Sequence, residues 1–434
     1  MRSEKFIPLW FFQCYLSATL LLYKFGPWNW VNSQTNNVIY YLLASQLAIF
    51  FGYIIGISLN KKLSIRYKKF DASRGIAFIR LALLVNFFTF IPLSLSRTGS
   101  IIPDIFFGIF NPGDAYHNNY LRLQRGNPYI FAEYIKAFLS PWIIGLFPML
   151  CIYWDKINLL YKIVGVVCVI AGLSLYIATG TNKGLADIVI TFPFFLFLYQ
   201  KIRNPMFRIK LKHVFCFIGL ILIFLTFFGF SMKGRGVVVA DSFFADRLIL
   251  ADYNFVSKSI FPDSVNMIYI SIIRYLCQGY YALSLSFNIE HSSTFGLGNS
   301  MVLARNADHF FNTNYFEANS IPGLLESSLG YSKQGLWHSI YPWLASDFGF
   351  MGTLIVMSFF GFLLALIWLR VISIRDPYDI VLLYLMIIFF YYIPANNQVF
   401  QCLETLICFF ICLIYLSKGA IKDLFSRNLR PRKK

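Results

Sequence analysis

Apolar residues run through this chain in continuous blocks of roughly twenty, separated by short polar segments. A helix of about twenty residues crosses a hydrocarbon layer of about 30 Å, so each block reads as a membrane span. The pattern predicts spans over 7–23, 37–59, 76–95, 132–154 and 159–178. It predicts five more over 185–199, 214–230, 348–369, 380–393 and 400–416. The blocks do not alternate apolar with polar, which argues against a membrane barrel of strands. The first block follows a basic start but has no small-residue cleavage site, so it reads as a span and not a cleavable leader.

One long hydrophilic stretch interrupts this pattern, at 231–341. It opens SMKGRGVVVADSFFADR and closes into WHSIYPWLASDFGFMG. The expected organisation has four parts: an N-terminal membrane bundle at 1–230, a large extracytoplasmic loop at 231–341, C-terminal spans at 342–417 and a basic cytoplasmic tail at 418–434. Residues 267–287 inside the loop are nearly apolar enough to span. A single extra span would put the basic tail outside. The stretch is therefore read as a helix lying on or dipping into the outer membrane surface, or packed against the spans.

Composition agrees with this pattern. The 434 residues are 58% hydrophobic, 19% aromatic and 13% charged, about half the charged fraction of a soluble domain. Charge sets the orientation. With both termini in the cytoplasm, the whole formal charge of +18 falls on the cytoplasmic side and the outer face is nearly neutral. Ten spans obey the positive-inside rule in this way, and anionic lipid accounts for the basic loops without nucleic acid. The eight cysteines show no CxxC spacing and read as small packing residues. The expected fold class is an all-α polytopic integral membrane protein.

Topology does not call for cations on the outer face, so those present draw attention. Arg97 ends span 3, Lys183 lies between spans 5 and 6, Lys233 and Arg235 follow span 7, and Arg274 interrupts the apolar loop helix. Bundled spans would bring these ends together, and a guanidinium fork suits phosphate. Each has a plainer reading. Arg97 and Arg235 can be interfacial anchors, and Arg80 a snorkelling side chain. Lys183 and Asp187, four residues apart, can neutralise each other. Arg274 needs a partner in its apolar setting.

Acid–base candidates concentrate in the loop. His338, just before span 8, is the first choice for a general base near the outer mouth, and an interfacial hydrogen-bonded histidine is the alternative. Glu290, next to His291, is the second. Asp347 reads as a first-turn residue that suits the helix dipole, and Glu404 in span 10 as an acid facing the same cavity or a packing group. No HExxH, outer DxD or His/Cys cluster points to a metal. No cofactor is expected.

Ten spans with one large outer loop, TGTNKG at 179–184 and WHSIYPWLASDFGFMG at 337–352 resemble the O-antigen polymerases, the Wzy-type oligosaccharide repeat-unit polymerases of bacterial inner membranes. Lys183 stands where such proteins often carry arginine. The resemblance implies transfer of a glycan from undecaprenyl pyrophosphate to a sugar hydroxyl of another lipid-linked unit, at the outer face, without metal. It implies Arg97, Lys183, Arg235 and Arg274 on the pyrophosphate, with His338 and Glu290 on the acceptor side. Membrane lipid and a chain-length regulator protein would be its other partners. A ligase passing glycan to a lipid or protein acceptor needs the same donor. A flippase of lipid-linked sugars would call for repeats and interrupted helices, which the sequence lacks.

Overall fold

The structure, a computed structural model, describes residues 4–30, 34–63, 72–204, 206–208, 210–235, 241–244, 247–252 and 263–428. Arg66, Lys68 and Lys69 of the first basic loop, 236–240 and 245–246 of the large loop's opening, and 429–434 of the tail lie outside the described residues.

The elements run α1 (Ile7–Phe25), α2 (Thr35–Leu63), α3 (Ala72–Thr98), α4 (Ile105–Phe110), α5 (Pro112–Gln124) and α6 (Ile130–Tyr153). Next come α7 (Leu159–Ala178), α8 (Lys183–Arg203), α9 (Leu211–Gly234) and a hairpin of β1 (Asp241–Phe244) and β2 (Arg247–Leu250). The chain continues through α10 (Asp263–Ser286), α11 (Met301–Phe311), α12 (Tyr315–Asn319) and α13 (Ile321–Leu329), then α14 (Ile340–Ser373), α15 (Pro377–Tyr392) and α16 (Leu403–Asn428). Among the described residues, eight helices are long and apolar enough to cross a membrane, which makes this a helical multi-pass architecture. They cover the first eight expected spans. The ninth expected span falls on the shorter apolar α15, of 16 residues, and the tenth on α16, neither of which is among those eight.

The chain separates into two compact units, and they cut across the sequential division expected from hydropathy. The first comprises Met1–Ser58, Gly236–Leu366 and Ile388–Cys402. Its helices approach closely through small residues: a Cβ on Gly52 would fall 1.8 Å from the Ser358 carbonyl oxygen, and one on Gly361 2.3 Å from that of Ile49. Small residues let backbones of α2 and α14 touch where lipid gives no hydrophobic drive. Residues 267–287 form most of α10 and are packed, not laid on a surface. Ile273, Cys277, Tyr280 and Tyr281 are buried, and Thr19 of α1 shares a hydrogen bond with Tyr280 at 3.0 Å. This is the third of the placements the sequence allowed.

Asp347 is no first-turn residue. It lies well inside α14, two residues before a break at Gly349 (φ 66°, ψ 169°). Its carboxylate accepts from the backbone N–H of Gly296, Gly298 and Asn299, the Thr294 hydroxyl and the Asn299 amide, at 2.5–3.2 Å. The Gly-Leu-Gly turn is therefore a loop wound around a buttressing acid.

The second unit comprises Leu59–Arg235, Ile367–Ile387 and Leu403–Lys434. The polar stretch at 96–130, between the third and fourth spans, holds two helices. Asp104 caps α4 by accepting from the Phe107 N–H at 2.8 Å, and Pro112 starts α5, where its missing N–H costs nothing. Backbone approaches are tight here also. A Cβ on Gly108 would meet the Ile177 carbonyl oxygen at 2.0 Å, and one on Gly113 that of Gly234 at 1.9 Å. These contacts lay α4 and α5 against the ends of α7 and α9. A buried Arg370–Asp379 pair at 3.0 Å joins α14 to α15.

Candidate functional site

In the second unit, three of the expected phosphate-binding cations gather around the turn at 179–182, between α7 and α8. Gly180 turns the chain with φ +62°, a conformation that favours glycine, and its Cα approaches the Pro112 carbonyl and the Tyr116 N–H of α5. Arg235, just past α9, donates to the Gly180 carbonyl and stacks its guanidinium 4.5 Å over the Tyr116 ring. Lys183, at the start of α8, pairs with Asp187 at 3.0 Å, the self-neutralising arrangement that its spacing allowed. Gly184 abuts the ring of Tyr176, on the last turns of α7. Arg97 lies over that same ring, 5.3 Å from its centroid.

Arg97 also enters an ion network. Its Nε lies 3.4 Å from Glu133 and a terminal nitrogen 3.4 Å from Glu404. Lys136, 6% exposed, pairs with Glu404 at 2.6 Å and reaches Glu133 at 3.8 Å. Ser96 donates to Glu133, Asn127 donates to Ser96, and Arg122 donates to the carbonyls of Ser96 and Arg97. Ions this deep persist only when paired and hydrogen-bonded. The plain reading of Arg97 as a headgroup anchor is thus replaced by an interior role. Glu404 does face the same cluster as Arg97.

Sequence reasoning missed Glu133, Lys136, Arg122 and Tyr176. A signal existed for the first two: opposite charges three residues apart within an apolar block are costly unless they serve one site.

The other candidates belong to the first unit. Arg274 on α10 lies 5.1 Å from the Phe244 ring centroid and 5.9 Å from that of Trp28. Among the described residues it has no carboxylate partner, and its Nε is buried without an acceptor. Burial pushes its pKa down, opposed by the nearby phenols of Tyr275 and Tyr331. The partner its apolar setting demands is thus a pair of ring faces.

His338 is not at a mouth. It is 1% exposed, with Tyr331 edge-on at 4.9 Å and Trp343 at 6.1 Å. Its Nδ1 lies 3.0 Å from the Leu336 carbonyl, and burial pulls its pKa down to about 4, so the ring is neutral at pH 7. The histidine fell inside because the 337–343 segment packs its rings as core: Tyr341 and Trp343 are equally buried. Glu290 is exposed and has no ion pair among the described residues. No known family model matches the chain, and no characterised protein or solved structure shows significant similarity to it.

Proposed function

We propose that this chain is a membrane glycosyltransferase that polymerises lipid-linked oligosaccharide repeat units, in the manner of the O-antigen polymerases. It would work at the outer face of a bacterial inner membrane, with ten spans and both termini in the cytoplasm. The observation that carries this reading is the gathering of Arg97, Lys183 and Arg235 around one turn, beside Arg122 and Lys136. Cations outnumber the carboxylates among these contacts, and a semi-buried excess of positive charge suits a diphosphate ester.

In the proposed reaction a sugar hydroxyl of one lipid-linked unit attacks the anomeric carbon of another. The bond from that carbon to the pyrophosphate oxygen breaks, and its electron pair leaves with undecaprenyl pyrophosphate. Preorganised cations favour the charge developing on the leaving group. The acceptor proton passes to a base. His338 has the neutral ring that a base requires, but its burial keeps a sugar hydroxyl away in this conformation. Of the two, Glu290 is the exposed one, and a carboxylate open to solvent can take that proton. Arg274 has no carboxylate partner among the described residues and belongs to the first unit, so its assignment to the pyrophosphate rests on the resemblance alone.

Deleting the protein in its native cell and separating the surface glycans on a gel tests this. Loss of the polymerase leaves single-unit glycan. Polymer stranded on the carrier lipid would point to ligation, and an unchanged ladder would reject both.

A further inference from the structure

A cavity of about 550 Å³ opens in the first unit beside α11 and α12, lined in part by Asp308, His309, Asn312, Thr313 and Asn314. That is the volume range of small-molecule sites. Its charges are already matched within the wall. Glu317 lies 3.3 Å from both Arg305 and Lys333, and Lys333 also pairs with Glu326 at 2.7 Å. Such a wall offers no surplus charge to an anion.

What it does offer is uncommitted amide and ring nitrogen. Asn314 stands at the cap position of α12, where asparagine ordinarily accepts from the helix N–H groups. Its side chain makes no cap bond, because both Asp308 oxygens take those N–H groups, of Phe316 and Glu317, at 2.9 Å. The Asn312 and His309 side chains also have no protein partner among the described residues. Asn312 holds a left-handed conformation, φ 50°, that few other residues adopt. Amides that both donate and accept, in a wall whose charges are matched, form a combination suited to a neutral polyol.

We propose that this cavity binds uncharged sugar residues of the glycan, as the acceptor-end subsite of the polymerase; the word acceptor rests on the function proposed above, the sugar binding does not. The probe is the cell's own surface glycan, released from lipid by mild acid and added to the purified full-length protein in nanodiscs. Saturation-transfer NMR and calorimetry should detect binding that high salt leaves intact. Asn314→Ala and His309→Ala should each weaken it about tenfold, the usual effect of one lost hydrogen bond in a site. Both side chains lack internal partners, so the thermal unfolding of the variants should be unchanged. Absence of glycan binding by the wild type, or equal binding by both variants, overturns the proposal. The deletion strain separates the two readings: an unchanged ladder with variant-sensitive binding rejects the polymerase and keeps the sugar site.

Discussion

The Arg97 guanidinium lies 5.3 Å from the centroid of the Tyr176 ring, and the same ring abuts Gly184, next to Lys183. One aromatic ring thus touches both the ion network of α3, α6 and α16 and the start of α8. Stacking fixes the plane of the guanidinium, and a fixed fork loses less entropy on gripping an oxyanion. Arg97→Ala should cut polymer yield at least about a hundredfold, the scale for removing one preorganised charge donor. Arg97→Lys keeps the charge but loses the fork, and should recover only part of it. Quantified glycan gels, with immunoblots to show equal protein, check both. A normal ladder in Arg97→Ala removes this residue from the site.

Gly180 offers a test of the turn. With φ +62° and an added Cβ that would fall 2.4 Å from the Pro112 carbonyl oxygen, it leaves no room for a side chain. Gly180→Val should lower stability by more than 1 kcal/mol, since a β-branched residue is a true outlier in that region. It should also displace Arg235, so activity should fall further than stability accounts for. Detergent-melt curves beside glycan gels separate the two effects.

His338 makes stability depend on pH. Its folded pKa of about 4 lies below the ordinary 6.5, so the unfolded chain binds the proton more readily. Stability is therefore complete above about pH 6.5 and declines as pH falls toward 4, by roughly 3 kcal/mol in total. Unfolding midpoints measured from pH 7.5 to 4 should show this drop, and His338→Phe should flatten it. A pH-independent wild type would mean that the ring is not desolvated as described.

Asp347→Ala removes the acceptor for five donors of the 294–299 loop. The expected cost is about 2 to 3 kcal/mol, with the loop becoming a preferred cleavage site. Limited proteolysis of the membrane-embedded protein measures this directly. Asp347→Asn, which keeps one carbonyl oxygen, should be milder.

The spans were legible because their signal is local. A run of apolar residues announces a crossing helix by length alone, and α7 matches its expected range of 159–178 residue for residue. Lys183 with Asp187 was legible for the same reason, being one turn apart. The Arg97–Glu404 contact was not, because it joins positions 307 residues apart with only tertiary packing between them. His338 and Asp347 were misplaced by one assumption, that the helix begins where the apolar run begins. In each case the helix starts earlier than the apolar run, since α14 begins at Ile340, eight residues before the expected span. The polar groups at its front are then buried inside the fold.

The positive surplus around the 179–184 turn has a consequence for the resting protein. A net positive surplus draws small mobile anions from a buffered solution, and any substrate must first displace these. Donor affinity should therefore be tunable by ionic strength, steep in dilute buffer and shallow near physiological salt, where the screening length is about 8 Å.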